Sequence, residues 1–194
     1  MIKNTKGEQS KYKLIECAAD LFLKNGYNAT GINDILGYAG LPKGSFYFHF
    51  SSKKNLAIEV AAYFEKEISQ WILEISKNKN WNEFVIELTN QMISGAEQNK
   101  HMGCPFAVLG LEIAFSEPDI AEYYAKSMKK LTLIFTNVLK FSGIPEDKAQ
   151  VLANKEFAVY EGHLVYYRIS KEIDALRRMQ KDLIDIYEDN KEEL

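Results

Sequence analysis

The chain has 194 residues, of which 46% are hydrophobic, and a formal net charge of -3. That length allows one or two domains, and so much apolar content excludes a disordered chain. No segment reads as a signal peptide or approaches the roughly 18 apolar residues of a membrane span, and two cysteines make no secreted disulfide framework. A soluble cytoplasmic protein is expected.

The charge is unevenly spread. Residues 1–60 hold eight Lys against five Asp or Glu, giving +3, and the remainder carries -6. Such asymmetry hints that the two parts meet different partners, although three net charges in sixty residues is modest.

The opening run MIKNTKGEQSK is polar and basic and is expected to fray. A first helix follows, with Cys17 on its apolar side as a structural residue, and Asn25-Gly26 ends it because glycine supplies the positive φ a helix terminus commonly needs. Thr30 is placed to cap the next helix, whose buried stripe is Ile32, Ile35, Leu36 and Ala39. Gly40 allows a sharp turn, and Pro42 is pre-set for the first position of a short third helix.

That third segment, Lys43 to Phe50, carries the most information. At about 100° per residue, Phe46 and Phe50 share one face, which must be the buried one. Gly44 and Phe48 then face solvent, with Lys43 and Tyr47 on one flank and Ser45 and His49 on the other. Exposed glycine, phenylalanine and tyrosine make a poor solvated face but a good surface for a DNA groove. The pattern is a helix-turn-helix, whose second helix normally enters the major groove. Gly44 lets the backbone approach the groove wall, Phe48 suits thymine methyls, and Lys43 suits guanine O6 and N7. Tyr47 and His49 suit phosphates on the flanking strands. Thr30 and Asn33, opening the preceding helix, complete the expected DNA-contacting set. Ser51 and Ser52 offer caps for a long helix from Lys53, where a phosphate docking at the helix N-terminus would account for a lysine.

Helices are then expected from about Lys53 to Ser76, Trp81 to Asn99, Pro105 to before Ser116, and Ser116 (as cap) to about Phe141. Ser142-Gly143-Ile144-Pro145 closes that helix and opens another, to about Ser170, and a last helix runs from Glu172 to about Asp189. No strand-like alternation or repeat appears, so the expected fold is all-α.

Several residues resemble one family closely: Ala18-Ala19-Asp20-Leu21-Phe22, Gly26-Tyr27, Thr30, Ile35, Ala39-Gly40, Lys43-Gly44-Ser45, Tyr47, His49-Phe50 and Lys53. Across roughly residues 10 to 56 the chain resembles the DNA-binding domain of TetR/AcrR-type transcriptional regulators. Gly103-Cys104-Pro105, with Thr30-Gly31 and Pro42-Lys43-Gly44-Ser45, resembles the LmrA/YxaF-like branch. Pro42 departs from the commoner Ser or Thr, removing a side-chain phosphate contact, and Gly31, Leu36 and Gly37 also depart from the most frequent residues.

The resemblance implies a DNA-binding domain over residues 1–52 and an effector-binding, dimerising domain over 53–194. It implies a homodimeric repressor that binds a pseudo-palindromic operator in double-stranded DNA and is released by a small effector, with no catalytic activity, cofactor or membrane partner. The effector cavity would be walled by helices of the larger domain, with Trp71, Phe106, Leu109, Glu112, Ile113, Tyr124, Met128, Phe157 and Tyr160 as candidate lining. Plain core is the competing reading for each aromatic. Glu112, in an otherwise apolar run, either anchors a polar or cationic effector group or points outward.

Small residues four apart, Ala149 and Ala153, then Ala158 and Gly162, permit close helix approach. Leu176, Met179, Leu183 and Ile186 form an apolar edge that packs internally or across a two-fold axis. The resemblance favours the axis and nominates Ala153, Gly162 and that edge as dimer interface.

Catalytic signals are thin. Cys104, before an apparent helix start, is a candidate low-pKa thiol, so a thiol-dependent enzyme or sensor is one alternative, and a helical adaptor without DNA binding is another. His101 and Cys104 would make half a metal site, but further ligands are not evident, so no metal is expected. His163 reads as a core or interface histidine. No Ser/His/Asp set, phosphate-binding loop or paired-carboxylate site is evident.

Overall fold

The computed structural model describes residues 5–100 and 103–192, and among these the chain is all-α. Its helices are α1 (Lys6–Asn25), α2 (Ile32–Ala39), α3 (Lys43–His49), α4 (Lys53–Ser76), α5 (Trp81–Glu97), α6 (Pro105–Ile113), α7 (Pro118–Phe141), α8 (Glu146–Ser170) and α9 (Asp174–Glu192).

Local chemistry accounts for the boundaries. Part of the opening run belongs to α1, because Thr5 and Glu8 form a reciprocal cap: the Thr5 amide donates to Glu8 and the Glu8 amide to the Thr5 hydroxyl. Residue Gly31, not Thr30, occupies the N-cap of α2, and Asp34 accepts its amide. Pro42 likewise stands at the N-cap of α3, one position before its first turn. Ser52 caps α4, accepting from the Asn55 amide at 3.1 Å. The amides of Ile120 and Ala121 bond to the Glu117 carbonyl, so α7 starts from Glu117 and not from Ser116. Lys171 ends α8 in the left-handed conformation, at φ 61°.

The chain forms two compact units. One runs to Glu67 and takes in Val108–Ala125; the other comprises Ile68–Ala107 and Lys126–Leu194. Three helices, α4, α6 and α7, each contribute residues to both units.

In the first unit, Leu14, Ala18 and Phe22 of α1 are buried together with Ile35, Phe46, Leu56 and Val60. Of the stripe expected on α2, Ile35, Leu36 and Ala39 are buried and Ile32 is half-buried. In the second unit, Trp81 anchors the bundle. Its side chain is fully buried, its indole N–H donates to the Leu183 carbonyl at 3.1 Å, and its ring packs edge-on against Phe135. Phe135 in turn meets Phe84, Phe157 and Tyr160.

The small residues of α8 separate. Ala149 and Ala153 are buried inside the protomer, whereas Ala158 and Gly162 are exposed. The reason is angular: nine residues from 149 to 158 turn the helix through about 900°, two and a half turns, which leaves the two pairs about half a turn apart. Leu176, Met179 and Leu183 are fully buried and Ile186 partly so, and the apolar edge of α9 packs internally in the single chain.

Gly103-Cys104-Pro105 also has a packing reason. Gly103 has φ +87°, and a Cβ there would stand 3.3 Å from the Leu164 carbonyl oxygen and from Cβ of Arg168. Only glycine admits both the conformation and this approach to α8.

Two acids are buried on α8. Among the described residues neither carboxylate oxygen of Glu156 has a hydrogen-bond partner, whereas Glu161 meets the Cys104 thiol, a contact that opposes the effect of its burial. Burial pushes Glu156 up to about 9, against a weaker opposing influence of Lys155, and raises Glu161 to about 7. Glu156 is thus protonated in the folded chain at neutral pH but ionised once unfolded. Unfolding releases its proton between about pH 4.5 and 9, so this group lowers stability as pH rises through that window. The slope is about 1.4 kcal/mol per pH unit. Glu156→Gln cannot ionise, so raising the pH from 6 to 8 should cost the wild type about 3 kcal/mol more than the variant in urea denaturation. Parallel loss in both proteins would show that Glu156 is ionised in the folded state.

Candidate nucleic-acid interface

Three helices of the first unit build the candidate surface. Phe46 is fully buried and Phe50 nearly so, and their rings pack 5.7 Å apart, which pins one face of α3 to the core. The opposite face is open. Phe48 is 80% exposed and Tyr47 55%, and Lys43 and Gly44 are exposed beside them. A Cβ built on Gly44 would meet nothing within 4 Å.

The other expected contacts divide. Asn33 is exposed and Ser45 half-buried. His49 is occupied within the unit, its Nε2 lying 2.7 Å from the Ser10 hydroxyl of α1. That bond braces α3 against α1. Thr30 is buried, and its hydroxyl donates to the Gly26 carbonyl at 2.7 Å, so it closes the end of α1 and does not face outward.

Lys53 is also engaged. Its ammonium donates to the carbonyls of Tyr27 (3.0 Å) and Thr30 (3.1 Å) and lies 4.3 Å from the centroid of the Tyr27 ring. An ammonium has three donors, so one remains for a phosphate. Three further lysines of the unit are paired with acids: Lys11 with Glu59, Lys24 with Asp20, and Lys54 with Glu117 and Asp119.

Glu112 occupies a place not anticipated. It is exposed, at the α1–α2 loop of the first unit, where it accepts the backbone amides of Tyr27 (2.9 Å) and Asn28 (2.7 Å). It points outward, as one of the two sequence readings has it, with its carboxylate used on backbone amides. A lone acid in an apolar run was the available signal, but its partners are backbone amides more than eighty residues earlier. The Tyr27 hydroxyl meets Glu117 at 3.4 Å, and burial with that charge pushes the phenol up to about 12.

The remaining candidate effector residues fall into different units. Leu109, Ile113 and Tyr124 are buried in the first. Phe106, Phe157 and Tyr160 are buried in the second, with Met128 half-buried and the Trp71 indole donating to Gln91.

Cys104 is buried, and burial with the neighbouring Glu161 charge holds its thiol well above the usual range. This reverses the expectation of an activated thiol: amides at the start of α6 pull the other way, but less strongly. Burial also raises Cys17. His101 lies outside the described residues. His163 bonds to Asp182 at 2.8 Å. Among the described residues no group of three His, Cys, Asp or Glu could hold a metal, and no helix is long and apolar enough to cross a membrane.

Comparison with known proteins agrees with this geometry. Residues 14–60 match the family model for bacterial regulatory proteins of the tetR family, and residues 83–182 match the C-terminal domain of LmrA/YxaF-like transcriptional regulators. The uncharacterized HTH-type transcriptional regulator YxaF of Bacillus subtilis is 30% identical over 168 residues, covering 84% of this chain and 87% of that protein. The HTH-type transcriptional regulator LmrA of the same organism is 27% identical, covering 91% and 96%. A TetR-family transcriptional regulator from Agrobacterium tumefaciens shares the fold with a TM-score of 0.82 at 19% identity, over 93% of this chain and 98% of its own. The chain belongs to the TetR family of transcriptional regulators, with a C-terminal domain of the LmrA/YxaF-like type.

Proposed function

We propose that this regulator is a ligand-responsive repressor that binds a pseudo-palindromic operator as a homodimer and is released by a small hydrophobic or aromatic effector. The outward face of α3 carries the reading. Glycine inside a helix costs about 1 kcal/mol relative to alanine. Nothing in the protomer lies close enough to require it at position 44. Its reason is external, as is that of the exposed Phe48 beside it. A helix with a bare backbone patch, an aromatic ring and the unpaired Lys43 fits a major groove, where the ring meets thymine methyls and the ammonium meets guanine. Lys53 and Tyr47 contribute phosphate contacts that set register.

Homodimerisation is supported by what α8 leaves uncovered. Ala158, Gly162, Tyr166 and Ile169 are all exposed and lie three or four residues apart, forming one small and apolar stripe. A second copy of α8 would cover it. Two α3 helices would then address successive major grooves about 34–36 Å apart. The aromatic interior of the second unit supports effector binding there. α4 runs from Lys53 into that unit, so a change in its tilt would alter the spacing of the paired heads. The effector needs only to prefer the wrongly spaced state, and each 1.4 kcal/mol of preference weakens DNA binding tenfold.

A duplex selected by the wild-type protein from a random pool provides the test. Lys43→Ala should reduce preference for that duplex over random DNA by about 10-fold or more, as expected for loss of a base-edge contact. Equal loss on selected and random DNA would remove Lys43 from base reading. Gly162→Glu has room within the protomer. It should leave helicity unchanged but yield monomers in light scattering, and a variant that stays dimeric would place the interface elsewhere.

A further inference from the structure

Ser10 connects the opening of α1 to the end of α3. The reciprocal cap of Thr5 and Glu8 holds the first turn of α1, and Ser10 stands just past that turn, against His49. Its hydroxyl oxygen lies 2.9 Å from the Gly7 carbonyl oxygen and 2.7 Å from Nε2 of His49. The next residue makes a parallel contact: Lys11, paired with Glu59, lies 5.8 Å from the centroid of the Phe50 ring. Phe48 packs edge-on against the imidazole, with ring centroids 4.8 Å apart. The ring of His49 is thus held in one orientation.

A hydroxyl has one proton, and two acceptors are in reach of it here. Turned to the Gly7 carbonyl, the hydroxyl leaves its oxygen to accept from Nε2–H, and Nδ1 of a neutral ring is then bare. Turned to His49, it donates to Nε2, and the ring proton must sit on Nδ1. The hydrogen bond made by one imidazole nitrogen decides the protonation of the other. A carbonyl or carboxylate in the place of Ser10 would lack this choice, because it only accepts. Leaving Gly7 costs no backbone pairing, since in a helix that carbonyl also accepts the amide four residues on. Nδ1 is the open side of the ring. It has no hydrogen-bond partner among the described residues, yet it is not sealed from solvent.

We propose that Ser10 is a positioning residue for DNA: in the complex its hydroxyl donates to Nε2 of His49, which fixes the ring proton on Nδ1 and makes that nitrogen a donor to a backbone phosphate. This rests on the DNA-binding reading above. A phosphate only accepts, so it selects this arrangement of protons over the other. His49 meets the duplex as a neutral ring, and no proton is taken up. Ser10 itself touches no DNA.

Imidazole nitrogen NMR of histidine-labelled protein tests this directly, and the signals missing from His49→Ala or His49→Gln assign the ring. With the selected duplex bound, Nδ1 of His49 should read as protonated and Nε2 as bare. A bare Nδ1, or a ring protonated at both nitrogens, would overturn the proposal. Affinities for the selected duplex and for random DNA are then read by fluorescence anisotropy. His49→Ala should weaken both alike by about tenfold or more, the scale of one hydrogen bond to a charged group. Its salt slope should match that of wild type, because a neutral donor displaces no counterion; a slope reduced by about one per protomer would mean an imidazolium and sink the neutral-ring contact. Ser10→Ala should weaken binding at least about threefold, Ser10→Thr should stay within about twofold of wild type, and the Ser10→Ala, His49→Ala pair should bind no more weakly than His49→Ala alone. Additive losses, or full affinity in Ser10→Ala, would remove Ser10 from DNA binding. A wild-type protein that selects no duplex from the random pool would instead overturn the DNA-binding reading on which this rests.

Discussion

Helix α3 depends on Phe46. Seven residues are far too few for a helix to persist alone in water, where about 12–15 are marginal. It exists because Phe46 is fully buried and Phe50 nearly so, while His49 is tied to Ser10 of α1. With its apolar face spent on that anchorage, the helix has one free side, and that side carries Lys43, Gly44, Tyr47 and Phe48. Burial and display are thus two aspects of one constraint. Without a rigid hydrophobic attachment, a helix this short could not present a defined surface.

The acids of the chain show how strongly environment decides the role of one side chain. Glu112 is open to water, and its carboxylate accepts two backbone amides. Glu156 is fully buried without a partner, and burial makes the neutral form the favoured one. The first is a directional tie and the second a source of pH sensitivity. Cys104 follows the second pattern: its position at a helix start favours the thiolate, and its burial beside Glu161 outweighs that.

Much of this was legible in the chain because it is local. The bounds of α4 and the extent of α7 follow from Ser52, Pro118 and the Ser142-Gly143 break, each acting within a few residues. The buried and exposed faces of α3 follow from helical angle alone. Features that depend on distant partners were not legible. Thr30 looked like a cap, but its hydroxyl is used on Gly26 and the following Gly31 takes the N-cap position. Glu112 read equally as an effector anchor or an outward-pointing acid, because nothing in its surroundings along the chain announces the Tyr27 and Asn28 amides. The small residues of α8 looked like two equivalent pairs, but the nine-residue offset puts them on opposite sides of the helix.

The first unit is assembled from two separated stretches of chain, one ending at Glu67 and the other Val108–Ala125. Recombination that exchanged only the N-terminal third between two such regulators would leave behind the segment bearing Glu112, Glu117 and Asp119. A chimera would inherit amides and lysines without their acidic counterparts, unless the donor and acceptor matched at that second stretch. Specificity for DNA is therefore not a freely portable module in this protein. It must travel with a piece of chain that lies within the stretch matching the C-terminal family domain.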